Sequence, residues 1–229
     1  MGITELAVIR WLHILAMVYW LGGEWGVFQT SYNVINRELS LAERRRHMET
    51  AYRIDILART GIIMLLPLGL HMGFLWGIHP FGGGYLVALW VLFALWLSLT
   101  WMAFIRRETP AGVRLSIYDE RIRFVLIPVL AIAALSSLAG DGPFLEVHGW
   151  FSAKLLIYAL LLVIGLQLRF IMREWTALFA QLEAPDIEAE ARVAAEGTLE
   201  RSIGTGRKLA YLYWIGIAGV AFLGATKPF

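Results

Sequence analysis

The sequence predicts an all-α, polytopic membrane helix bundle. Six transmembrane helices form a single integral membrane domain over residues 1–229, with both termini outside. Three observations predict it. Hydrophobic residues make up 59% of the chain and charged residues 17%, against ~45–50% and ~25% in soluble domains. The apolar residues fall into six runs near the ~20 residues that a helix needs to cross hydrocarbon. Basic residues gather in alternate loops.

The first run covers about residues 6–35. It contains Trp, Glu and a Gly pair and lacks a small-residue cleavage site, so a retained helix is expected rather than a leader peptide. The second covers about 54–78 and the third about 85–105, with the core LVALWVLFALWLSLTWMAFI. A short fourth run covers about 122–138. The fifth spans about 150–172 and the sixth about 209–225. A membrane barrel would need alternating segments of ~10 residues, and these runs are twice that length and apolar on all sides. Residues 176–206 are the longest polar stretch. Their Ala and Glu content, with Asp186 as N-cap after Pro185, suggests a cytoplasmic helix beside the membrane, and a solvated connector is the plainer alternative.

The loops set direction. Arg37, Arg44, Arg45, Arg46 and Arg53 lie between the first two runs. Arg106, Arg107, Arg114, Arg121 and Arg123 follow the third, and Arg173, Arg192, Arg201, Arg207 and Lys208 follow the fifth. The intervening HPFGGG and AGDGPFLEVHG segments hold no Lys or Arg. By the positive-inside rule the basic loops face the cytoplasm and both termini face outward. The expected location is a bacterial inner membrane.

Composition excludes several classes. Cysteine is absent, so there is no disulfide, thiolate metal site or cysteine nucleophile. A net charge of +2 gives no support for nucleic-acid binding. Nucleophile-elbow, phosphate-loop and dinucleotide-binding patterns are missing.

Ionisable residues at membrane depth are costly and mark interiors or cavities. In the first run His13, Trp20 and Glu24 recur on nearly one stripe, with Gly22, Gly23 and Gly26 removing bulk beside it. A flat ligand or a second helix could approach there. In the second run His71 lies between Gly69 and Gly73 and four residues after Pro67, which can free a carbonyl and kink the helix. Met72 reads as packing. His13 sits about seven residues into its helix and His71 about seven before the end of its own, so both fall roughly ~10 Å below the outer surface. Two imidazoles at one depth could clamp a metal ion or a haem iron. Lys154, a lone ammonium in the fifth run, could snorkel outward or meet an anion such as a haem propionate. A second cluster, Glu24, Arg53, Asp55, Arg59, Arg123 and Arg169, reads as an internal ion-pair network, with a proton path or anion site as the functional alternative. His47 and His79 read as solvated loop residues, and His148 as a surface residue.

These residues resemble a known family. His13, Trp20 and Gly22 give H-x6-W-x-G. Met48 and Glu49, with Ala51-Tyr52-Arg53-Ile54, are similar to M-E-x-x-L-Y-R-I at the start of the family's second span. Gly69 fits a glycine further along that helix, Trp150-Phe151-Ser152-Ala153-Lys154-Leu155 resembles W-L-H-A-K-L, and Lys227-Pro228-Phe229 resembles a K-P-F terminus. The family is the HemJ-type protoporphyrinogen oxidases, four-helix membrane proteins that bind haem b and oxidise protoporphyrinogen IX. The first-span pattern looks equally like the CopD-type copper proteins of the same superfamily. The resemblance implies a four-helix core plus an inserted hairpin, since residues 79–147 have no counterpart, and Ser152 stands where the family has a histidine. It implies His13 as the haem-associated residue and Lys154 as the functional lysine. Trp20 would lie at the cofactor, and His71 is added from depth alone.

The resulting expectation is a haem b oxidoreductase of porphyrin biosynthesis, with His13 and His71 on the metal and Lys154 catalytic. Its partners would be the bilayer, a tetrapyrrole, and a quinone or respiratory chain. A second copy of the chain is also a candidate partner. Copper handling by His13, His71, His79, His148 and methionines, or a non-catalytic subunit role, are the alternatives.

Overall fold

A computed structural model describes residues 3–229. Among them six helices run α1 Glu5–Val34, α2 Leu41–Leu75, α3 Gly84–Ile105, α4 Pro110–Leu138, α5 Gly149–Leu182 and α6 Ala189–Thr226, with a short 3-10 turn at Glu146–His148 and no strand. All six are long and apolar enough to cross a membrane. The protein is a polytopic helical bundle in contact with lipid.

Local chemistry starts the helices where the sequence places polar caps. The Thr4 hydroxyl accepts from Ala7 N on α1. Ser40 and Glu43 close a capping box on α2, satisfying two orphan donors reciprocally. Thr109 caps α4 just before Pro110, whose missing N–H costs nothing in a first turn.

Every helix except α3 has 29 residues or more and overruns the bilayer. α6 has 38 residues, about 57 Å of helix against a hydrocarbon core of ~30 Å. The expected connector at 176–206 is instead the end of α5 and the start of α6, joined by a short turn, and the N-cap is Glu188 rather than Asp186. The extensions persist because they bury a core of their own. Met48 and Ala51 from α2, Trp175 and Phe179 from α5, and Leu199 and Ile203 from α6 pack together. Arg44 ties this layer, donating through both Nη atoms to Glu196 at 2.7 and 2.8 Å and through Nε to Val34 O at 2.8 Å. Apolar content alone measured only the part of each helix that lipid surrounds.

Both termini lie at one end of the bundle. Glu5 meets His71 at 3.2 Å, and Trp150 N donates to Phe229 O at 3.1 Å. The opposite, arginine-rich end carries the helix extensions. α1 packs on α2 and on α6, and α5 packs on α6 and α2. The α3–α4 hairpin adds to the flank of this four-helix group, α3 against α2 and α4 against α5.

α1 and α2 approach closely. A Cβ on Gly61 would stand 2.7 Å from Trp20 N, and one on Gly23 would stand 2.8 Å from Ala58 Cβ. Small residues let backbones meet where no hydrophobic effect drives helices together. Gly23 and Gly26 therefore serve helix packing rather than a flat ligand, because Ala58 and Ile54 of α2 occupy the space beside them.

Candidate functional site

α1 turns His13, Met17 and Trp20 inward at spacings of four and three, one helical stripe. They meet Gly69 of α2, Phe151, Lys154 and Tyr158 of α5, and Val220 and Ala221 of α6 around a cavity of about 70 Å³. Toward the terminal end it continues into a compartment of about 320 Å³, which adds Arg10, Met72, Trp76 and Trp150. The two share His13, Met17, Gly69, Phe151, Lys154 and Ala221, so they form one groove among α1, α2, α5 and α6.

Two groups in the groove stand unpartnered. His13 Nδ1 is buried and has no hydrogen-bond partner among the described residues. Its ring faces Gly69, where a Cβ would lie 3.4 Å from His13 Cε1. Lys154 lies along Gly224 and has no ion pair among the described residues. Arg10 is the second cation of the lining, and no carboxylate lines either compartment. At the mouth, Lys227 Nζ stands 3.9 Å over Trp76 and 5.5 Å from the centre of Trp150.

His71 does not join His13. Its Nδ1 accepts from Trp90 Nε1 at 3.3 Å, and its Nε2 meets Glu5 Oε1 at 3.2 Å. Two residues beyond Gly69 is about 200° around the helix. The ring therefore faces α3 and the start of α1, away from the groove. Matching depths along two helices fixed height and ignored rotation, and the two-imidazole clamp fails for that reason. Glycine at 69, the residue that does face His13, was the informative signal on α2.

Trp20 is fully buried and forms the floor of the groove. Its Nε1 donates to Tyr213 Oη at 3.1 Å, and its ring meets Tyr158 and Tyr213 edge-on at 6.3 and 5.5 Å. Tyr158 in turn donates to Ile62 O at 2.7 Å, about one turn before Pro67. On the other side of this aromatic layer lies a chamber of about 60 Å³ touched by Glu24, Asp55, Arg59, Arg123, Arg169 and Arg207.

The charges of that half are mostly paired. Asp119, with no exposed surface, accepts from Trp96 Nε1 at 2.6 Å, Thr100 Oγ1 at 2.8 Å and Arg123 Nε at 3.3 Å, and pairs with Arg169. Glu120 pairs with Arg169 at 3.2 Å and with Arg173, and Asp55 pairs with Arg59. Arg53, expected in this cluster, is exposed and outside it. Asp119 and Glu120 are its actual centre, carried on the polar first turns of α4 ahead of the apolar run at about 122–138. The four-residue spacing of Asp119 and Arg123 was the available clue. Arg10, three residues before His13 on α1, shares its face of the helix.

His79 is 4% exposed rather than solvated. Its ring lies between Leu70 O, 2.9 Å from Nε2, and Phe81 N, 3.3 Å from Nδ1. Burial pushes its pKa below the ordinary histidine value, and the Leu70 carbonyl partly offsets that. His148 is half-buried at the end of the 3-10 turn, edge-on to Trp150. Neither lines the groove.

Comparisons of this chain with protein-family models, curated proteins and solved structures find no match.

Proposed function

We propose that this protein is a membrane redox protein of the bacterial cytoplasmic membrane that holds haem b, or a tetrapyrrole of that shape, in the groove, with a protoporphyrinogen-oxidase-like activity. One observation carries the reading. An imidazole with an orphaned buried nitrogen, an unpaired ammonium and a second cation share a groove without a carboxylate. An unsatisfied buried polar atom costs ~1–3 kcal/mol, more for a charge. A ligand that offers a metal centre to one side and carboxylates to the other offsets both costs.

The residues fit a group held by one imidazole and do not fit two. His13 would hold the iron, Lys154 and Arg10 would meet propionates, and Trp20 and Tyr158 would form an apolar floor that excludes water. The larger compartment, about 320 Å³, is at the low end of ligand pockets, ~300–1,000 Å³. Bound haem would supply one-electron chemistry, and the protein would set its potential through axial ligation and burial. The resemblance to HemJ-type oxidases supports the substrate class, and a quinone or respiratory partner would take the electrons.

A second reading has its own support. Met17 and Met72 line the terminal compartment with His13, and imidazole with thioethers suits copper(I). Two cations in the same lining favour an anionic ligand over a bare metal ion.

Absorption spectra of the purified protein, oxidised and reduced, test the proposal. A Soret band is expected in the parent and in His71→Ala and lost in His13→Ala. Lys154→Met is expected to weaken retention of the pigment. A colourless parent that binds copper after chelation and reloading selects the second reading. Pigment retained in His13→Ala but lost in His71→Ala overturns the site.

A further inference from the structure

Glu24 stands two-thirds of the way along α1 and makes no hydrogen bond or ion pair among the described residues. It is the exception in its half of the bundle, where Asp55, Asp119 and Glu120 are each paired. Its chamber is lined by two further residues with one unpartnered donor atom each, although Arg207 also donates through Nε to Ser31 Oγ at 3.2 Å. Trp175 Nε1 and Arg207 Nη2 are buried donors with no acceptor among the described residues, and both residues line the space that Glu24 faces. An acceptor and two donors around one void call for bridging water. About 60 Å³ gives room for a few molecules at ~10–15 Å³ each, and a buried water needs two to four polar partners.

The chamber borders a vestibule on one side and the aromatic layer on the other. Asp55, Arg59, Arg169 and Met172 line it and also line a vestibule of about 270 Å³ at the arginine-rich end. The same side chains thus form a thin charged partition between the two. Toward the groove stands the aromatic layer, where the Trp20 donor is used on Tyr213 and the Tyr158 donor on Ile62 O.

We infer that Glu24 is a proton-exchange site, reached by water from the arginine-rich end and closed to the groove by Trp20, Tyr158 and Tyr213. The charged and titratable groups that share its chamber are Asp55 and Arg59 of α2, Arg123 of α4, Arg169 of α5, and Arg207 and Tyr213 of α6, while α3 contributes none. Surrounding guanidiniums steady the anion, and the dry aromatic layer tolerates the neutral acid. Both protonation states are therefore accessible at one carboxyl, as proton exchange requires. An ionisable residue at membrane depth is costly to keep, and one without a structural partner is read first as a functional site. The inference does not depend on what the groove binds.

The absence of native cysteine makes the access claim directly testable. Single variants Ser116→Cys in the vestibule, and Glu24→Cys and Ala210→Cys in the chamber, are reconstituted in vesicles of known orientation. They are then treated with an anionic, membrane-impermeant methanethiosulfonate. Labelling of all three is expected from the arginine-rich face, with loss of labelling at Glu24→Cys and Ala210→Cys when the reagent is confined to the other face. Labelling of either chamber position from the terminal face overturns the inference. So does a Ser116→Cys that reacts while both chamber positions stay inert. Infrared difference spectra across a pH titration supply the second measurement. A protonated-carboxyl band that shifts in heavy water is expected in the parent and lost in Glu24→Gln. Its absence in the parent, or persistence in Glu24→Gln, overturns the assignment.

Discussion

The two halves of this bundle face the same problem and solve it differently. Each places ionisable side chains at membrane depth, where an uncompensated charge is expensive. In the arginine-rich half, Asp119 has no exposed surface and yet has Trp96, Thr100, Arg123 and Arg169 as partners. In the terminal half, Lys154 has no carboxylate and His13 Nδ1 has no partner among the described residues. Charge that is satisfied internally holds helices together. Charge that is left unsatisfied, as at Lys154 and Glu24, calls for a function: the groove ligand proposed above, or proton exchange. A polar residue in a membrane helix is therefore informative through its partners rather than its mere presence.

The strongest way to break this comparison is to remove one group from each half. Asp119→Ala removes the shared acceptor of Trp96, Thr100, Arg123 and Arg169, leaving Arg123 without its carboxylate and Arg169 with Glu120 alone. Breaking a buried pair this way costs ~3–5 kcal/mol. A large fall in the thermal midpoint in mild detergent is expected, or failure to accumulate. Lys154→Met should act in the opposite direction on the ligand-free protein. It replaces a lone ammonium by an apolar chain of similar length, and a gain of ~1–2 kcal/mol is expected with loss of ligand retention. If Lys154→Met destabilises the empty protein as much as Asp119→Ala does, the lysine is structural and the contrast between the halves disappears.

The contact between α1 and α2 gives the next effect. Gly61→Leu drives a side chain into the backbone of Ala16 and Trp20. Overpacking of this kind costs ~1–3 kcal/mol. Because Trp20 forms the floor of the groove and bonds Tyr213, the variant should lose stability and, in parallel, any ligand held above that floor. Gly22→Leu meets open space and should leave both within ~0.5 kcal/mol of the parent. The pair is read by thermal unfolding and by ligand retention on one preparation.

Much of this architecture was legible in the residues. Six apolar runs gave six helices, and the basic loops all fall at one end, because burial in lipid acts on composition directly. His13 and Trp20 share a groove because the stripe on α1 is a property of one helix, and Lys154 of α5 joins them at the matching depth. The partnership with His71 was not legible. It depends on how α2 is rotated about its axis, and that rotation is set by Gly61 against Trp20 and Gly23 against Ala58, contacts between distant parts of the chain. The network around Asp119 failed for a related reason. α4 begins at Pro110, so residues that looked like loop lie on a helix that carries them inward against α5.

The smallest expected effect concerns His79, a terminal-half histidine with both ring nitrogens partnered, as those of His71 are. With Leu70 O at Nε2 and the Phe81 N–H pointing at Nδ1, the geometry demands a neutral ring that donates from Nε2 and accepts at Nδ1. A proton on Nδ1 would turn that acceptor into a donor facing another donor. Burial acts in the same direction, so the folded pKa lies below the unfolded value of 6.5. The unfolded chain then takes up the proton first on acidification. The contribution of His79 is fully present above about pH 6.5 and is lost progressively as the pH falls below it toward the folded value. His79→Gln can keep a donor toward Leu70 O and an acceptor toward Phe81 N, so at neutral pH it should lie within about 1 kcal/mol of the parent. Its midpoint should fall less steeply than the parent's between neutral and mildly acidic pH. Equal slopes would mean that His79 is not held neutral. The contrast with His13, whose Nδ1 has no partner among the described residues, would then rest on geometry alone.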